Sequence, residues 1–529
     1  MTEWWKSSII YQVYPRSFQD TDGDGVGDLE GVRRRLGHLV DLGVDAVWLS
    51  PIFVSPMRDF GYDIADYTAI DRVFGTMEDF DRLLADAHGR GLKLILDLVP
   101  NHTSDRHRWF GESRTGRDSP KRDWYIWRDP APDGGPPTNW MSEFGGSAWE
   151  FDDATGQYYY HAFLASQPDL NWRNPEVRAA MRDVMRFWLD RGVDGFRIDV
   201  LWHLMKDDQF RDNPENPYWQ EGDSPIARLI PLYTTDLPEM EDIVRELRRT
   251  VAAYDDRVLI GEIYLPHDRL ARYYGHELEG IHLPFNFALI DAPWHARKIE
   301  ALVADYEASL PEGGWPNWVT GNHDKPRIAT RVGPDQARVA AMLLLTLRGT
   351  PTVYYGEELG MENVPIEDRD ALDPFARRVP GHGHGRDGAR TPMRWEDGPN
   401  AGFTTGRPWL PVGEHPVTVA MQRDDPKSIL SLYRRLIALR RAHPALSVGG
   451  YRPLFAEGDL LLYARESGEE RFLVALNLGP DPISASLEAL GLSGTLRVSA
   501  TGDRESERVV DVVDLRGGEG VVIELDGPI

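Results

Sequence analysis

Gly195-Phe196-Arg197-Ile198-Asp199-Val200 reads as a short buried strand ending in a charged pair. Arg197 and Asp199 stand two apart, so on a strand both side chains leave the same face. Phe196, Ile198 and Val200 supply the apolar filling that a strand covered on both sides requires. A guanidinium beside a carboxylate favours the ionised form. A rigid, desolvated carboxylate is a competent nucleophile toward an electrophilic carbon. The same pair could also close a strand for purely structural reasons, and the rest of the chain decides between these readings.

Strand-like and helix-like stretches alternate outward from this point. Residues 9–13, 45–49 and 92–97 read as strands before it; 258–262, 280–287, 317–321 and 352–355 read as strands after it. Helical spacing of apolar residues covers 29–42, 77–90, 175–191, 238–253, 335–347 and 428–442. Eight strands alternating with helices predict an α/β fold, a (β/α)8 barrel of the TIM type. Residues 102–172, rich in Pro, Gly, Trp and Asp, interrupt the alternation as an irregular domain inserted after strand three. The barrel is therefore expected over 1–101 and 173–449, with a Gly/Pro-rich loop subdomain at 361–423. From 450 to 529 short strands separated by Gly and Asp turns predict a C-terminal antiparallel β-sandwich domain.

Composition narrows the function. Among 529 residues, 59 Lys+Arg against 85 Asp+Glu give a net charge of -26, which repels phosphate backbones and argues against nucleic-acid partners. There is no Cys, which excludes disulfides and fits a reducing compartment. No stretch reaches the ~20 apolar residues of a membrane span, and the start carries no secretory pattern. The expectation is a cytoplasmic protein without membrane or nucleic-acid partners, a monomer or small homo-oligomer. Seventeen Trp offer flat apolar faces suited to sugar rings.

Several of the expected strands end in or near a carboxylate: Asp97, Asp199, Glu262 and, in Gly321-Asn322-His323-Asp324, Asp324. Asp199, Glu262 and Asp324 at the C-terminal ends of strands four, five and seven would converge on one cavity. Crowded carboxylates push their pKa values apart, so that one stays ionised while another keeps its proton. Glycoside hydrolysis needs this arrangement, and a separation of ~5 Å gives retention through a covalent glycosyl-enzyme.

Asp97-Leu98-Val99-Pro100-Asn101-His102, Gly195 to Val200, Ile260-Gly261-Glu262-Ile263 and Gly321-Asn322-His323-Asp324, in this order and spacing, resemble the α-amylase superfamily, glycoside hydrolase family 13. Tyr11-Gln12-Val13-Tyr14-Pro15-Arg16-Ser17-Phe18 resembles its α-glucosidase and oligo-1,6-glucosidase branch. The resemblance covers nearly the whole chain. It implies Asp199 as nucleophile, Glu262 as general acid/base, and Asp324 as a hydroxyl-binding carboxylate whose charge helps keep Glu262 protonated. It implies that Arg197 holds Asp199, that His102 and His323 bind glucose hydroxyls, and that Tyr62 stacks on the ring. Phe144 and Gln167 join the implied substrate-binding set. Asp63 and Arg394 are expected to close the pocket at the non-reducing end, making the enzyme exo-acting on short α-glucosides.

Trp202-His203 stands where amylases carry Lys-His, which weakens a polymer-cleaving reading. Val200 after the nucleophile matches members acting on α-1,6 linkages, without excluding α-1,4 linkages or sucrose. Two alternatives stay open: a transglycosylase or isomerase such as a sucrose isomerase or trehalose synthase, and a non-catalytic sugar-binding subunit.

Asp20-Thr21-Asp22-Gly23-Asp24-Gly25-Val26-Gly27-Asp28 resembles the first half of an EF-hand loop, with Gly31 where the final Glu would stand. Four carboxylates in nine residues favour a cation. A structural Ca²⁺ is expected on Asp20, Asp22, Asp24 and Asp28, and the family resemblance adds the Val26 carbonyl. Gly381-His382-Gly383-His384-Gly385 reads as a mobile loop rather than a metal site.

Overall fold

Eight parallel strands organise the computed structural model: β1 (Ile10–Val13), β2 (Ala46–Leu49), β3 (Lys93–Leu98), β4 (Gly195–Ile198), β5 (Val258–Ile263), β6 (Leu283–Asn286), β7 (Asn317–Val319) and β8 (Thr350–Tyr354). The structure describes residues 3–367, 369–414, 417–488 and 491–527; the other positions of the expected segments lie outside these. The ladder runs β6-β5-β4-β3-β2-β1-β8-β7. The seam between β6 and β7 is bridged by Asn317, whose Oδ1 accepts from Asn286 N at 3.0 Å and whose Nδ2 donates to Pro284 O at 2.5 Å.

Side-chain parity separates two layers. Ile10, Ala46, Trp48, Ile95, Val258, Ile260, Leu283, Phe285 and Val319 share one buried cluster. Their alternates, among them Tyr11, Val47, Leu96, Phe196, Ile198 and Leu259, belong to the cluster shared with the helices. This two-sided burial is why the strands read as continuous apolar runs. Gly195 is required at the foot of β4, because a Cβ there would meet Val258 O at 2.3 Å.

The long helices are α1 (Leu29–Leu42), α2 (Met77–Gly89), α3 (Pro175–Asp190), α4 (Met240–Val251), α5 (Ala296–Ser309), α6 (Pro334–Thr346) and α7 (Ile429–Ala442). Their ends follow local chemistry. Asp28 caps α1 by accepting from Gly31 N, and Gly43 at φ 95° ends it. Thr76 and Asp79 form a reciprocal capping box on α2, while Asn174 and Pro175 start α3. α5 is not among the helices expected above, although Ile299, Val303 and Tyr306 recur at helical spacing and are buried.

Between β3 and α3 the chain forms a small antiparallel sheet of Trp127–Arg128, Gln157–Tyr160 and Trp149–Asp152. After α7, eight strands from Gly450 to Leu525 form one antiparallel sheet. Its residues alternate: Leu461, Tyr463, Phe472 and Val474 join the barrel-side core, and Leu460, Leu462, Leu473 and Ala475 form a core of their own. No helix among the described residues is long and apolar enough to cross a membrane.

Candidate active site

Strand register delivers the central residues. Arg197 on β4 pairs with Asp97 on β3 and with Ile260 on β5. Paired residues of parallel strands point the same way, and the next inward positions lie two residues on. Asp199 and Glu262 therefore emerge side by side at the C-terminal rim. Arg197, fully buried, is their common partner. Its Nη1 donates to Asp199 Oδ1 at 2.8 Å and Asp97 Oδ1 at 2.9 Å. Its Nη2 lies 2.7 Å from Glu262 Oε2. That N–H does not point at the oxygen, so this contact is an ion pair without a hydrogen bond. Glu262 Oε2 instead accepts from the Val200 amide at 2.8 Å. Val200 holds φ 37°, ψ 46°, a left-handed conformation costly for a β-branched residue. Strain of this kind persists only where the surroundings over-determine it, and it concentrates at active sites.

Three buried carboxylates around one guanidinium cannot all ionise freely. Burial pushes Asp97 up to about 6 against the pull of Arg197. Burial also raises both Asp199 and Glu262, Asp199 the more strongly. Arg197 opposes it in each; Glu262 and Asp97 add to the rise of Asp199, and Asp324 adds to that of Glu262 while a hydrogen bond with Asp199 lowers it. Asp199 has the direct guanidinium hydrogen bond and Glu262 that of the Val200 amide, so each carboxylate has one donor of its own, and Glu262 additionally faces Asp324.

Asp324 has the opposite environment. Burial alone would raise it, but the guanidinium groups of Arg386 and Arg390 hold it below the usual carboxylate range. Arg390 Nη2 stands 2.9 Å and Arg386 Nη1 3.2 Å from its Oδ1. His323 is kept neutral by burial and by the neighbouring guanidinium charges. Its ring stacks on Tyr62, centroids 5.2 Å apart and 4° from parallel, and its Nε2 lies 2.6 Å from the Tyr62 hydroxyl.

These groups face one cavity of about 490 Å³ lined by Asp59, Tyr62, His102, Phe144, Asp199, Glu262, His323, Asp324 and Arg386, among others. Gln167 does not line it. Gln167 sits behind the wall, its Nε2 3.1 Å from Asp59 Oδ2 and 3.2 Å from His102 Nε2. His102 Nε2 also lies 3.0 Å from the Tyr62 carbonyl.

The expected closing pair is corrected. Asp63 is fully buried and points away from the cavity, accepting from Ser55 Oγ at 2.8 Å, Arg58 N at 3.0 Å and Asp59 N at 3.1 Å. It braces the turn that carries Asp59. Arg394 donates to the carbonyls of Val412, Gly413 and Val417 and borders a separate surface cavity. Asp59 and Arg386, joined at 2.8 Å, are the oppositely charged pair that the cavity wall carries instead. Arg386 is itself held by Asp373 at 2.7 Å. The sequence places Asp59 four residues before Asp63 in one turn, and nothing local tells which of the two faces inward. Arg386 and Arg390 lie in a Gly-rich loop without periodicity.

In the acidic loop, carboxylate oxygens of Asp20, Asp22 and Asp28 lie within 4.8 Å of one another. Asp24 is not part of this group: its Oδ1 accepts from Val26 N at 2.8 Å. Asp20 takes the amides of Asp22, Gly23 and Gly25 at 2.9, 2.8 and 2.9 Å, and Asp28 that of Thr21 at 2.7 Å.

A family model described as alpha amylase, catalytic domain, matches residues 12–449. The chain is 42% identical over 503 residues to a probable alpha-glucosidase of Rhizobium meliloti (strain 1021), covering 92% of this chain and 91% of that protein. It is 41% identical over 528 residues to an oligo-1,6-glucosidase of Heyndrickxia coagulans, covering 92% and 94%. A crystal structure of an alpha-glucosyl transfer enzyme superposes with a TM-score of 0.94 at 42% identity, covering 100% of both chains. With a barrel that brings Asp199, Glu262 and Asp324 into one cavity, and relatives matched along nearly their full length, the chain belongs to the α-amylase family of glycoside hydrolases.

Proposed function

We propose that the protein is an exo-acting, retaining α-glucosidase that releases glucose from the non-reducing end of short α-glucosides. The observation that carries this reading is Arg197 holding Asp199 and Glu262 at one cavity whose wall carries the Asp59 and Arg386 pair. A single sugar unit fits against that pair, and the rest of the substrate points out of the mouth.

In the first step Asp199 attacks the anomeric carbon. The bond to the leaving oxygen breaks, and Glu262 gives that oxygen its proton. In the second step Glu262 takes a proton from water, the water attacks, and Asp199 is released. Asp324, ionised throughout, accepts glucose hydroxyls, and His102 and His323 border the same ring. Val200 narrows the approach to Asp199, which favours α-1,6-linked partners over α-1,4-linked ones. Replacing water by a second sugar in the last step gives transfer, a reading favoured by the likeness to the alpha-glucosyl transfer enzyme.

Asp20, Asp22 and Asp28 have the oxygen chemistry a calcium ion requires, and the Val26 carbonyl is the natural fourth donor. Asp24, turned to Val26 N, would join through a water or by rotation. The ion's role there is to hold the loop that caps α1, remote from the reacting atoms. The lack of Cys and the acidic surface suit the cytoplasm, with the chain acting alone or as a small homo-oligomer.

Wild-type protein and Asp199→Asn are assayed on an aryl α-glucoside, with the first-formed anomer read by NMR. Release of α-glucose by the wild type and at least a ~1000-fold loss in the variant are expected. First-formed β-glucose, or near-normal turnover by the variant, overturns the reading.

A further inference from the structure

Six acidic side chains line the cavity: Asp59, Glu143, Asp199, Glu262, Asp291 and Asp324. Five of them face a base. Asp59 and Asp324 meet Arg386 at 2.8 and 3.2 Å, Asp199 and Glu262 meet Arg197 at 2.8 and 2.7 Å, and Asp291 meets Lys325 at 3.5 Å. Glu143 alone has no cation and no side-chain hydrogen bond among the described residues. Its oxygens are not sealed in the wall, since they are absent from the buried atoms lacking a partner. They open toward the cavity.

Glu143 is held in place rather than loose. Met141 bridges to Ser147 across the turn that carries it. Ser142 Oγ donates to Phe163 O at 2.6 Å, and Glu143 N donates to Ala162 O at 2.8 Å. The next ring, Phe144, meets Phe375 with centroids 5.0 Å apart. Arg378 donates to the Phe144 and Gly145 carbonyls at 3.2 and 3.1 Å. The turn thus forms part of the cavity wall, to which Phe375, His384 and Ile226 also belong. His384 Nε2 lies 2.8 Å from Ser224 Oγ, joining two loops beside that wall. With Asp59, Asp199, Glu262 and Asp324 engaged by bases around the glucose that is cleaved, the stretch of wall at Glu143 is the one left to meet a leaving group. Burial, with no charge to offset it, pushes the Glu143 carboxyl up to about 7. The carboxyl stays reachable from the cavity and has no protein partner, so an incoming hydroxyl can pair with it.

We propose that Glu143 reads the leaving group, hydrogen-bonding a hydroxyl of the sugar or polyol that departs from, or attacks, the glucosyl-enzyme. This rests on the α-glucosidase reading given above. Glu143 is a specificity residue here and takes no part in bond making. Its binding energy is realised only when the partner beyond the cleaved bond carries hydroxyls.

The test compares kcat/KM for isomaltose, maltose and sucrose with kcat/KM for an aryl α-glucoside whose leaving group has no free aliphatic hydroxyl. In Glu143→Ala the sugar-to-aryl ratio falls about tenfold, the loss of one hydrogen bond to a polar partner. The change falls mainly in KM, and the aryl substrate changes by less than about twofold. Glu143→Gln, which keeps both a donor and an acceptor, restores the ratio to within about threefold of wild type. Where Glu143→Ala lowers Tm, Glu143→Phe fills the wall and gives the same loss. An unchanged ratio in Ala and Phe variants, or equal losses on both substrate classes, overturns the inference. Wild-type protein that turns over no α-glucoside overturns the functional reading instead, so the two failures are distinct.

Discussion

Replacing Arg197 by Lys isolates what the guanidinium does. Arg197 puts Nη1 on Asp199 and Asp97 and Nη2 beside Glu262, all at 2.7 to 2.9 Å and all buried. A lysine carries one charged nitrogen and cannot keep both sides of this arrangement. Breaking a buried ion pair from one side costs about 3–5 kcal/mol if the remaining charge must persist. Asp199 avoids that cost by taking a proton; at ~1.4 kcal/mol per pH unit the full loss is about 2–4 units, and a lysine that keeps half of the interaction leaves a rise of about 1–2 units. The nucleophile must be ionised, so the acid limb of kcat/KM moves to higher pH by the same amount. At pH 6 the rate on an aryl α-glucoside falls by about 10- to 100-fold and recovers partly toward pH 8. Stability moves in the matching direction. A carboxylate whose folded pKa is raised stabilises fully below its unfolded pKa and loses that contribution as pH climbs through the folded value. The Tm deficit of Arg197→Lys therefore widens from pH 5 to pH 8. The assays are pH profiles of kcat/KM and calorimetric Tm. An acid limb that stays in place, or a Tm deficit independent of pH, refutes the role given to Arg197.

Glu262→Gln slows sugar leaving groups by at least ~1000-fold and an activated aryl leaving group far less, because only the former need protonation; equal losses contradict the acid role. Asp59→Ala and Arg386→Ala each lower kcat/KM for a disaccharide by about 100-fold, as loss of a buried charged hydrogen bond predicts, while Arg394→Ala stays within about tenfold. Asp63→Ala, which unpins the Asp59 turn, lowers Tm together with activity, and activity loss without a Tm change would contradict its bracing role. Removing divalent cations with a chelator lowers Tm by several degrees without changing kcat at low temperature, and added Ca²⁺ restores it in wild type but not in Asp20→Asn; a Tm indifferent to chelator and to Ca²⁺ removes the metal.

The barrel strands and the Arg197-to-Asp199 pair were legible because two periodicities coincide there. Full burial makes the strands uniformly apolar, and any inward charge at a strand's end stands out against that background. Glu262 was legible for the same reason, ending a run of Val258, Leu259 and Ile260. The Asp59 and Arg386 pair was not legible. Asp59 and Asp63 share one turn, and Asp63 turns inward to the protein because the amides of Arg58 and Asp59 converge on it. Arg386 and Arg390 reach Asp324 from a segment more than sixty residues away in sequence, with no spacing rule to connect them. Glu143 stands out only once every other acidic residue of the cavity is seen beside its base. Loop residues acquire their roles from tertiary packing, which leaves no periodic trace.

The central claim is that Asp199 bonds covalently to the sugar in a cavity it shares with Glu262. A fluorinated glucosyl fluoride slows release of that intermediate more than its formation, so intact mass and peptide mapping read the site directly. The account predicts one fluoroglucosyl group per chain on the peptide carrying Asp199, absent in Asp199→Asn. A label on Glu262 or Asp324, or inactivation-free turnover with no label at any residue, contradicts it.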